Sequence, residues 1–404
     1  MNFTRRSALV AGAALTMPGA AWALDSATFP FRVTRNRPWT VVAINNQEPP
    51  LPFLLSTGSG WYAISDSAAK SLKLPRADKS YLKSPVDRMD IPVYRIERAK
   101  IGGVMEERDI YLAGLPDGRV LDNLKGVIPP TSASVMSFDF DRLEIAVSRS
   151  LTAKPEGYRA LPLELGVQLQ GGADPLGAQA RTEFSQANLD LTPTVVAELD
   201  GEPVKLKLST GYSGGLFLHS SYVQAKGLWD HYPTHVAQQH LSPTGLTVNS
   251  RLVRAERLKL GGVVFQKPVV HLSDPQYAAH DVDGIEVGFV GMEFLRRFNL
   301  VYDPFSRLIW LKPNAAIADG YHYNRAGADV ELVNGRLLIT ELSPGGPADR
   351  AGLKEGDVVT GWRGPDGYDG LVWALTGAPG STVDIQVSRG GKAELVSVVL
   401  EDHL

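Results

Sequence analysis

The sequence predicts a mostly-β protein with three folded units behind an export signal. Three observations lead to this prediction. The 404 residues include 40 glycines and 27 prolines that are spread along the chain, which fits short strands joined by tight turns. A pattern of two strands ending in Ser-Thr-Gly occurs twice. The character of the sequence changes after residue 315, which predicts a separate C-terminal unit at residues 316–404.

Composition excludes several classes of function. The formal net charge is −3, so the chain has no cationic surplus to neutralise phosphates and we expect no nucleic-acid partner. The absence of cysteine removes disulfides, thiol nucleophiles and cysteine-ligated metal sites. Hydrophobic residues at 44% and charged residues at 21% are typical of a folded globular chain.

Residues 1–23 are predicted to be an export signal. Arg5 and Arg6 precede a short apolar run at 8–14, and Ala21-Trp22-Ala23 offers a small-residue cleavage site. The arginine pair resembles a twin-arginine signal, and an ordinary secretory signal is the alternative. The apolar run is shorter than the about 20 residues that span a membrane. We therefore expect a periplasmic or secreted protein with no transmembrane segment in its mature chain.

The internal repeat predicts two lobes with one topology. Ser56-Thr57-Gly58 ends the first copy and Ser209-Thr210-Gly211 ends the second, 153 residues later. Gly102-Gly103 and Gly261-Gly262 follow in the same order, where they predict hairpin turns. The two lobes are predicted at residues 24–155 and 156–315. Short helices are predicted at 66–72, 220–226 and 293–298.

The duplicated strand ending in x-Thr-Gly resembles the retropepsin-like aspartic peptidases of bacteria. The second copy also carries the family's Gly–apolar–Gly loop at 288–291, whereas Gly126-Val127-Ile128 in the first copy keeps only part of it. The resemblance covers about residues 30 to 315. It implies two acid-protease β lobes related by a pseudo-twofold axis, with one cleft between them. Since both half-sites lie on one chain, a monomer can form the cleft.

In this family each lobe supplies one Asp from an Asp-Thr-Gly turn, and the two carboxylates share a proton and activate water. In this sequence Ser56 and Ser209 occupy both Asp positions, so the resemblance implies a non-functional catalytic pair. A serine hydroxyl is neutral at working pH and cannot act as the base. The remaining active-site turn residues are kept, namely Thr57, Gly58, Thr210 and Gly211.

Other residues offer alternative chemistry. Asp66 and Asp283 are carboxylates that could substitute for the missing pair, and Tyr212 is bulky where the family has a small residue. Gly211–Gly215 also matches the G-x-S-x-G nucleophile elbow, with Ser213 as nucleophile and His271 or His280 as base. The elbow needs a following helix, but Leu216–Leu218 is predicted to be a strand.

A loose histidine cluster is the one candidate for a metal site. It consists of His231, His235 and His240. Pro233 interrupts any continuous helix there, and no ordered set of carboxylates accompanies the histidines. We therefore predict no metal and no cofactor.

Residues 316–404 resemble a PDZ domain of the kind found in exported bacterial proteases. A strand at 337–342, a Pro-Gly-Gly turn, a short helix and the Gly356-Asp357 turn carry this resemblance. It implies a groove that binds an extended polypeptide or a protein C-terminus by adding it to a sheet edge. The predicted groove residues are Gly327, Val330, Leu332, Leu371 and Leu375. Asp329 would repel a bound carboxylate, so an empty groove is the alternative.

These features favour an exported aspartic-peptidase homologue that is inactive or severely impaired and binds extended polypeptide. The binding place is the interlobe cleft, the PDZ groove or both. One alternative is an active endopeptidase that uses carboxylates the sequence does not locate. A second alternative is an envelope interaction module without a working cleft.

Overall fold

The structure is a computed structural model that describes residues 26–83, 88–117, 121, 123–129, 134–151, 153–165, 192–232, 234–241, 247–280, 286–333, 336–364 and 367–404. The predicted export signal, Pro233 and Asp283 lie outside these residues. The side chains of His240, His280 and Leu332 also lie outside the description. The predicted mostly-β fold class is confirmed.

The first part of the chain consists of closely spaced strands, of which β7 and β8 are the longest. They are β1 (Ser26–Pro30), β2 (Arg32–Thr34), β3 (Arg37–Ile44), β4 (Leu51–Leu55), β5 (Tyr62–Ser65), β6 (Arg76–Lys83), β7 (Arg88–Ile101), β8 (Met105–Leu115), β9 (Gly126–Ile128), β10 (Val135–Asp139) and β11 (Glu144–Ser148). Helix α1 (Asp66–Ser71) follows β5 and is capped by the Ser65 side chain.

The middle of the chain repeats this sequence of elements. Its strands are β12 (Arg159–Pro162), β13 (Glu164–Leu165), β14 (Pro193–Leu199), β15 (Glu202–Leu208), β16 (Leu216–Leu218), β17 (Val236–Leu241), β18 (Thr247–Arg254), β19 (Arg257–Leu260), β20 (Val263–Gln266), β21 (Val269–Ser273), β22 (Gly288–Val290), β23 (Phe298–Asp303) and β24 (Leu308–Pro313). Its helices are α2 (Ser220–Ala225), α3 (Met292–Leu295) and the 3-10 helices Pro275–His280 and Ala315–Ala318.

The first two sheets share one strand order. The first sheet runs β2-β3-β4-β9-β5-β8-β7-β6, and the second sheet contains the run β14-β15-β22-β16-β21-β18-β17. In each sheet the strand that ends in Ser-Thr-Gly pairs in parallel with a late strand, β9 or β22. The next strand along the chain pairs antiparallel with the other side of that late strand. The sequence repeat therefore corresponds to a repeat of topology.

A shared sheet joins the two repeats. Its order is β1-β11-β10-β23-β24-β12, with three strands from each repeat, and β10 pairs with β23 across the middle. One continuous hydrophobic core includes Phe29 and Phe138 of the first repeat and Phe298 and Leu311 of the second. The two repeats therefore fold around a common core.

The two predicted hairpin turns are present. Gly102 and Gly103 join β7 to β8, and Gly261 and Gly262 join β19 to β20, all with φ between 59° and 85°. Glycine adopts this left-handed backbone without steric penalty. A Cβ at Gly261 would also approach the Leu311 side chain to 2.7 Å, so the turn must stay small to pack on the shared sheet.

The predicted helices begin near their expected positions but are shorter. The third was predicted at 293–298, whereas α3 ends at Leu295. Phe298 is fully buried and opens β23, where it pairs with Pro313. Phe298, which was predicted to be helical, is therefore part of a strand of the shared sheet.

The C-terminal sheet has its own core. It is antiparallel in the order β25 (Ala328–Val333), β26 (Arg336–Leu342), β27 (Val358–Trp362), β28 (Thr382–Arg389) and β29 (Lys392–Val399). Helices α4 (Pro347–Arg350) and α5 (Gly367–Ala374) pack against it. Helix α5 carries Leu371, one of the predicted groove residues. In the described part of the chain, no helix is long and apolar enough to cross a membrane.

The C-terminal unit is tied to the second sheet. Arg254 on β18 places its Nη2 atom 2.7 Å from both carboxylate oxygens of Asp402, and the Tyr323 hydroxyl donates to the same carboxylate at 2.5 Å. Leu404 packs in a small apolar cluster with Leu252 of β18. The end of the chain therefore lies on the second sheet.

A buried ion pair fixes helix α3 to the segment that leads into the C-terminal unit. Glu293 and Arg297 are each 2% exposed, and Arg297 Nη2 lies 2.7 Å from Glu293 Oε1. The guanidinium also donates to the carbonyls of Asp319 at 2.5 Å and Gly320 at 2.9 Å. The pair thus connects the second repeat to the linker.

We predict that Arg297→Leu lowers the free energy of unfolding by about 3–5 kcal/mol, because the buried Glu293 carboxylate loses its closest cation and the carbonyls of Asp319 and Gly320 lose their donor. Arg296 Nη2 at 3.9 Å and His322 Nδ1 at 3.4 Å stay beside the carboxylate. The double variant Arg297→Leu/Glu293→Leu should lose less than the single variant. Chemical denaturation of the full chain measures both. The control is Arg142→Gln, whose 72% exposed side chain pairs with Glu144 and should change stability by less than about 1 kcal/mol. Equal stability of the native chain and Arg297→Leu would contradict the prediction.

Candidate functional site

The two Ser-Thr-Gly turns lie in direct contact through a reciprocal threonine pair. Thr57 Oγ1 donates to the carbonyl of Leu208 at 2.6 Å and accepts from the Thr210 amide at 3.0 Å. Thr210 Oγ1 donates to the carbonyl of Leu55 at 2.6 Å and accepts from the Thr57 amide at 3.0 Å. Both threonines are buried. We call these four hydrogen bonds the threonine brace, and it holds the ends of β4 and β15 side by side.

Each serine lies against the glycine of the opposite turn. A Cβ at Gly58 would approach Ser209 Cβ to 2.7 Å, and one at Gly211 would approach Ser56 Cβ to 3.0 Å. Only glycine allows this approach. The Ser56 amide donates to Ile128 at 2.9 Å and the Ser209 amide to Val290 at 2.8 Å, which anchors each turn to its own sheet. The structure therefore brings all six predicted turn residues together.

The site holds hydroxyl groups where the resemblance would place carboxylates. Among the described residues, no carboxylate is hydrogen-bonded to Ser56 or Ser209. Asp66 begins α1, where its carboxylate accepts from Tyr94 at 3.3 Å and lies 4.0 Å from Lys70. Two neutral hydroxyls can orient a water molecule through hydrogen bonds but cannot remove its proton.

The sheet faces beside the two serines differ in chemistry. Side chains alternate along a strand, so Leu54 shares a face with Ser56 and Lys207 shares a face with Ser209. The face beside Ser56 is aliphatic, with Leu54, Ala63, Ala113 and Val127. The register-equivalent positions beside Ser209 are Lys207, Phe217, His271 and Phe289. One topology therefore carries an aliphatic half and an aromatic half, in which Lys207 Nζ lies 3.1 Å from Glu286 Oε1.

Tyr212 packs on this aromatic half. Its ring lies edge-on 4.9 Å from Phe289 and 5.9 Å from His271. Burial raises the pKa of the Tyr212 hydroxyl well above its usual range, and within the described residues the hydroxyl has no hydrogen-bond partner. Sequence reasoning noted that Tyr212 is bulky. Only the fold shows that its ring covers the face next to Ser209.

The described residues give no helix directly after Ser213 and no metal-binding group of side chains around the histidines. The turn that contains Ser213 leads into strand β16 and not into a helix, so the nucleophile-elbow context is absent there. His231 and His235 are exposed. Over the residues that the structure describes, no group of three or more His, Cys, Asp or Glu side chains could hold a metal ion.

The predicted groove residues lie along β25 and α5. Gly327 precedes β25 with φ of 66°, and Leu332 belongs to that strand. The side chains of Val330, Leu371 and Leu375 are buried in the C-terminal core. Their part in ligand contact remains a prediction. Burial raises the pKa of Asp329, beside Gly327, to about 6, although Asn324 donates to the carboxylate at 3.1 Å.

Comparison with known proteins assigns the C-terminal part of the chain. The family described as "PDZ domain" matches residues 325–400, so this part is a PDZ domain. No curated protein matches the chain. Among solved structures, a retropepsin-like aspartic protease from Rickettsia conorii is 18% identical, with 31% of this chain and 84% of that chain covered and a TM-score of 0.23. A likeness this distant does not define the fold.

We predict that the threonine brace behaves as one unit. Thr57→Val and Thr210→Val should each lower the free energy of unfolding by about 1–3 kcal/mol, because each leaves buried backbone groups without partners. The double variant should fall short of the sum by at least about 0.5 kcal/mol in a denaturation cycle. Thr40→Val is the matched control, since this buried threonine bonds only to Pro30 in the first repeat. Its effect should add to that of Thr210→Val, and additivity of the two brace variants would contradict the prediction.

Asp329 predicts a pH-dependent stability. Its carboxyl is protonated more readily in the folded chain, with a pKa of about 6 against about 3.9 unfolded, so folding is penalised as pH rises from about 4 to 6. Asp329→Asn should therefore raise stability at pH 7 by about 2–3 kcal/mol and change it little at pH 4. Thermal melts at both pH values measure this. Asp230→Asn, at a 90% exposed side chain, is the control. An equal gain at both pH values would contradict the assignment.

Proposed function

We propose that this protein is an exported aspartic-peptidase homologue that lacks peptidase activity and binds extended polypeptide. The proposal includes the division into an export signal, two lobes and a PDZ domain at the boundaries given above. The observation that carries it is the site itself. Ser56 and Ser209 stand on two opposed turns that the threonine brace holds together, and neither serine has a carboxylate bonded to it in the described residues.

The chemistry of peptide-bond hydrolysis explains why these serines matter. An aspartic-type site needs one ionised carboxylate to take a proton from water and one protonated carboxyl to polarise the carbonyl. Serine hydroxyls stay protonated, so the site lacks both the base and the shared proton. The threonine brace and the two close glycines do not depend on this chemistry. They support the proposal that the protein keeps the framework of such a site without its catalytic pair.

A second candidate function is an interaction module with a closed cleft. The packing of Tyr212 on Phe289 and His271 favours it, because the ring takes up space next to Ser209. In this case the PDZ domain would be the only place of polypeptide binding. PDZ domains bind extended segments by adding them to a sheet edge.

A proteolysis assay separates the candidates. The mature chain is incubated with unfolded protein from pH 3 to 8, beside Ser56→Asp/Ser209→Asp and the same double variant with Tyr212→Ala. Ser56→Asn/Ser209→Asn is the uncharged, size-matched control. We expect the native chain to show no cleavage above the Asn control, and any gained activity to be confined to the Asp variants and acidic pH.

Two results bear on the choice. Cleavage by the native chain that an aspartic-peptidase inhibitor blocks would overturn the proposal. Activity that appears only when Tyr212→Ala is added to the Asp pair would show that this ring closes the cleft, which favours the interaction-module candidate.

A further inference from the structure

At the edge of the PDZ sheet, the Val330 carbonyl of β25 points away from the neighbouring strand β26. Among the strands that the structure describes, β25 is an edge strand and pairs with β26 alone. Val330 lies opposite Ile339 on β26. The Ile339 amide donates to the Asp357 carbonyl at 2.9 Å and the Ile339 carbonyl accepts from the Gly356 amide at 2.8 Å, so neither group bonds to Val330. Val330 and Ile339 therefore form a non-hydrogen-bonded pair, and the Val330 carbonyl points away from β26. An added strand would bond to this carbonyl.

The chain's own side chains already engage this edge. The Tyr368 hydroxyl, on helix α5, donates to the Val330 carbonyl at 2.8 Å. Asn324 Oδ1 accepts from the amides of Ala326 at 3.2 Å and Gly327 at 3.1 Å, and its Nδ2 donates to the Ala328 carbonyl at 2.9 Å. The amides that would receive a terminal carboxylate are thus bonded to Asn324.

An arginine from the first repeat covers the same helix. Arg35 lies in the β2–β3 turn with φ of 50°, and its guanidinium carbon is 3.9 Å from the centre of the Tyr368 ring. Its Nε lies 2.9 Å from Asp369 Oδ1, and the side chain is 12% exposed. A ring face and a carboxylate together form a site for a guanidinium.

Three acidic side chains lie around this position, beside one further cation, Arg37, whose pKa is lowered to about 10 by burial and by Arg35. Asp369 lies on α5, and Asp329 and Glu331 lie on β25. Burial and then the Glu331 carboxylate raise the pKa of Asp329, and burial raises that of Tyr368, where Arg35 opposes the smaller effect of Glu331. A second carboxylate brought by a ligand would be repelled here, and a guanidinium would be attracted.

We propose that the PDZ groove recognises an arginine within an extended polypeptide, and that Arg35 of the same chain occupies this position until a partner's arginine displaces it. The inference rests on the proposed polypeptide binding and names the chemistry of the partner. Entry of a partner breaks the Arg35–Asp369 contact and frees Tyr368 to leave the Val330 carbonyl, which opens the strand edge.

The β2–β3 turn, which carries Arg35, also contacts the turn that follows Ser209. Asn36, next to Arg35, donates through Nδ2 to the Ser213 carbonyl at 2.7 Å. Ser213 follows Tyr212 in the turn that covers the second sheet. Displacement of Arg35 therefore moves the β2–β3 turn, which is hydrogen-bonded to the turn containing Tyr212 and Ser213.

Fluorescent peptides test the inference on the full mature chain. The first is residues 31–40 with Arg32→Gln and Arg37→Gln, so that Arg35 is its single arginine, and with an amidated end. The second adds Arg35→Gln. The third is the second peptide with a free C-terminal carboxylate. The proteins are the native chain, Arg35→Gln, Tyr368→Phe and the control Arg142→Gln, with thermal melts to verify folding.

We expect Arg35→Gln to bind the arginine peptide about tenfold more tightly than the native chain and Arg142→Gln do, because the internal competitor is gone. On Arg35→Gln, the peptide without arginine should bind about tenfold more weakly, and the free carboxylate should change its affinity less than about twofold. Tyr368→Phe keeps the ring but frees the Val330 carbonyl, so it should also bind the arginine peptide more tightly than the native chain.

Other results would overturn the inference. Equal affinity of the native chain and Arg35→Gln for the arginine peptide would exclude an internal competitor. Tightest binding of the carboxylate peptide would reject the arginine preference while leaving polypeptide binding in place. Absence of binding by every peptide to every protein would remove both the inference and binding through the PDZ groove, whereas the proteolysis assay tests the serine site separately.

Discussion

The threonine brace is the contact on which the rest of the site depends. Thr57 and Thr210 each donate to a carbonyl preceding the other turn and accept from the other threonine's amide, so four buried polar groups are satisfied only when the two turns meet. Buried donors and acceptors without partners are costly, which makes any separation of the turns unfavourable. The brace therefore aligns the two repeats whatever residues stand before it.

The two turns keep this contact with a serine before each threonine. Ser56 and Ser209 pack against the opposing glycines, and their backbone amides are hydrogen-bonded to the sheets. Neither the packing nor the hydrogen bonds need a carboxylate. The space beside Ser209 is taken up by a side chain of the same turn. Tyr212 packs there, and the aromatic residues of the second sheet enclose it.

The PDZ domain makes direct contacts with both repeats. Asp402 and Leu404 attach the end of the chain to the second sheet, and Arg35 reaches the PDZ helix from the first repeat. Contacts from both repeats thus converge on one small domain. Polypeptide binding at its edge cannot be separated from the position of the β2–β3 turn.

The sequence by itself determined the elements whose causes are local or repeated. The mostly-β class and the glycine hairpin turns followed from turn chemistry and from spacing along the chain, and the PDZ domain followed from the resemblance of residues 316–404 to that family. The contact between Thr57 and Thr210, the cover provided by Tyr212 and the reach of Arg35 were decided only by the tertiary structure. Each of these joins segments that are distant in sequence, and nothing in local residue preferences specifies such a partner. The early end of helix α3 has the same origin, since the pairing of Phe298 with Pro313 in the shared sheet overrides local helix preference.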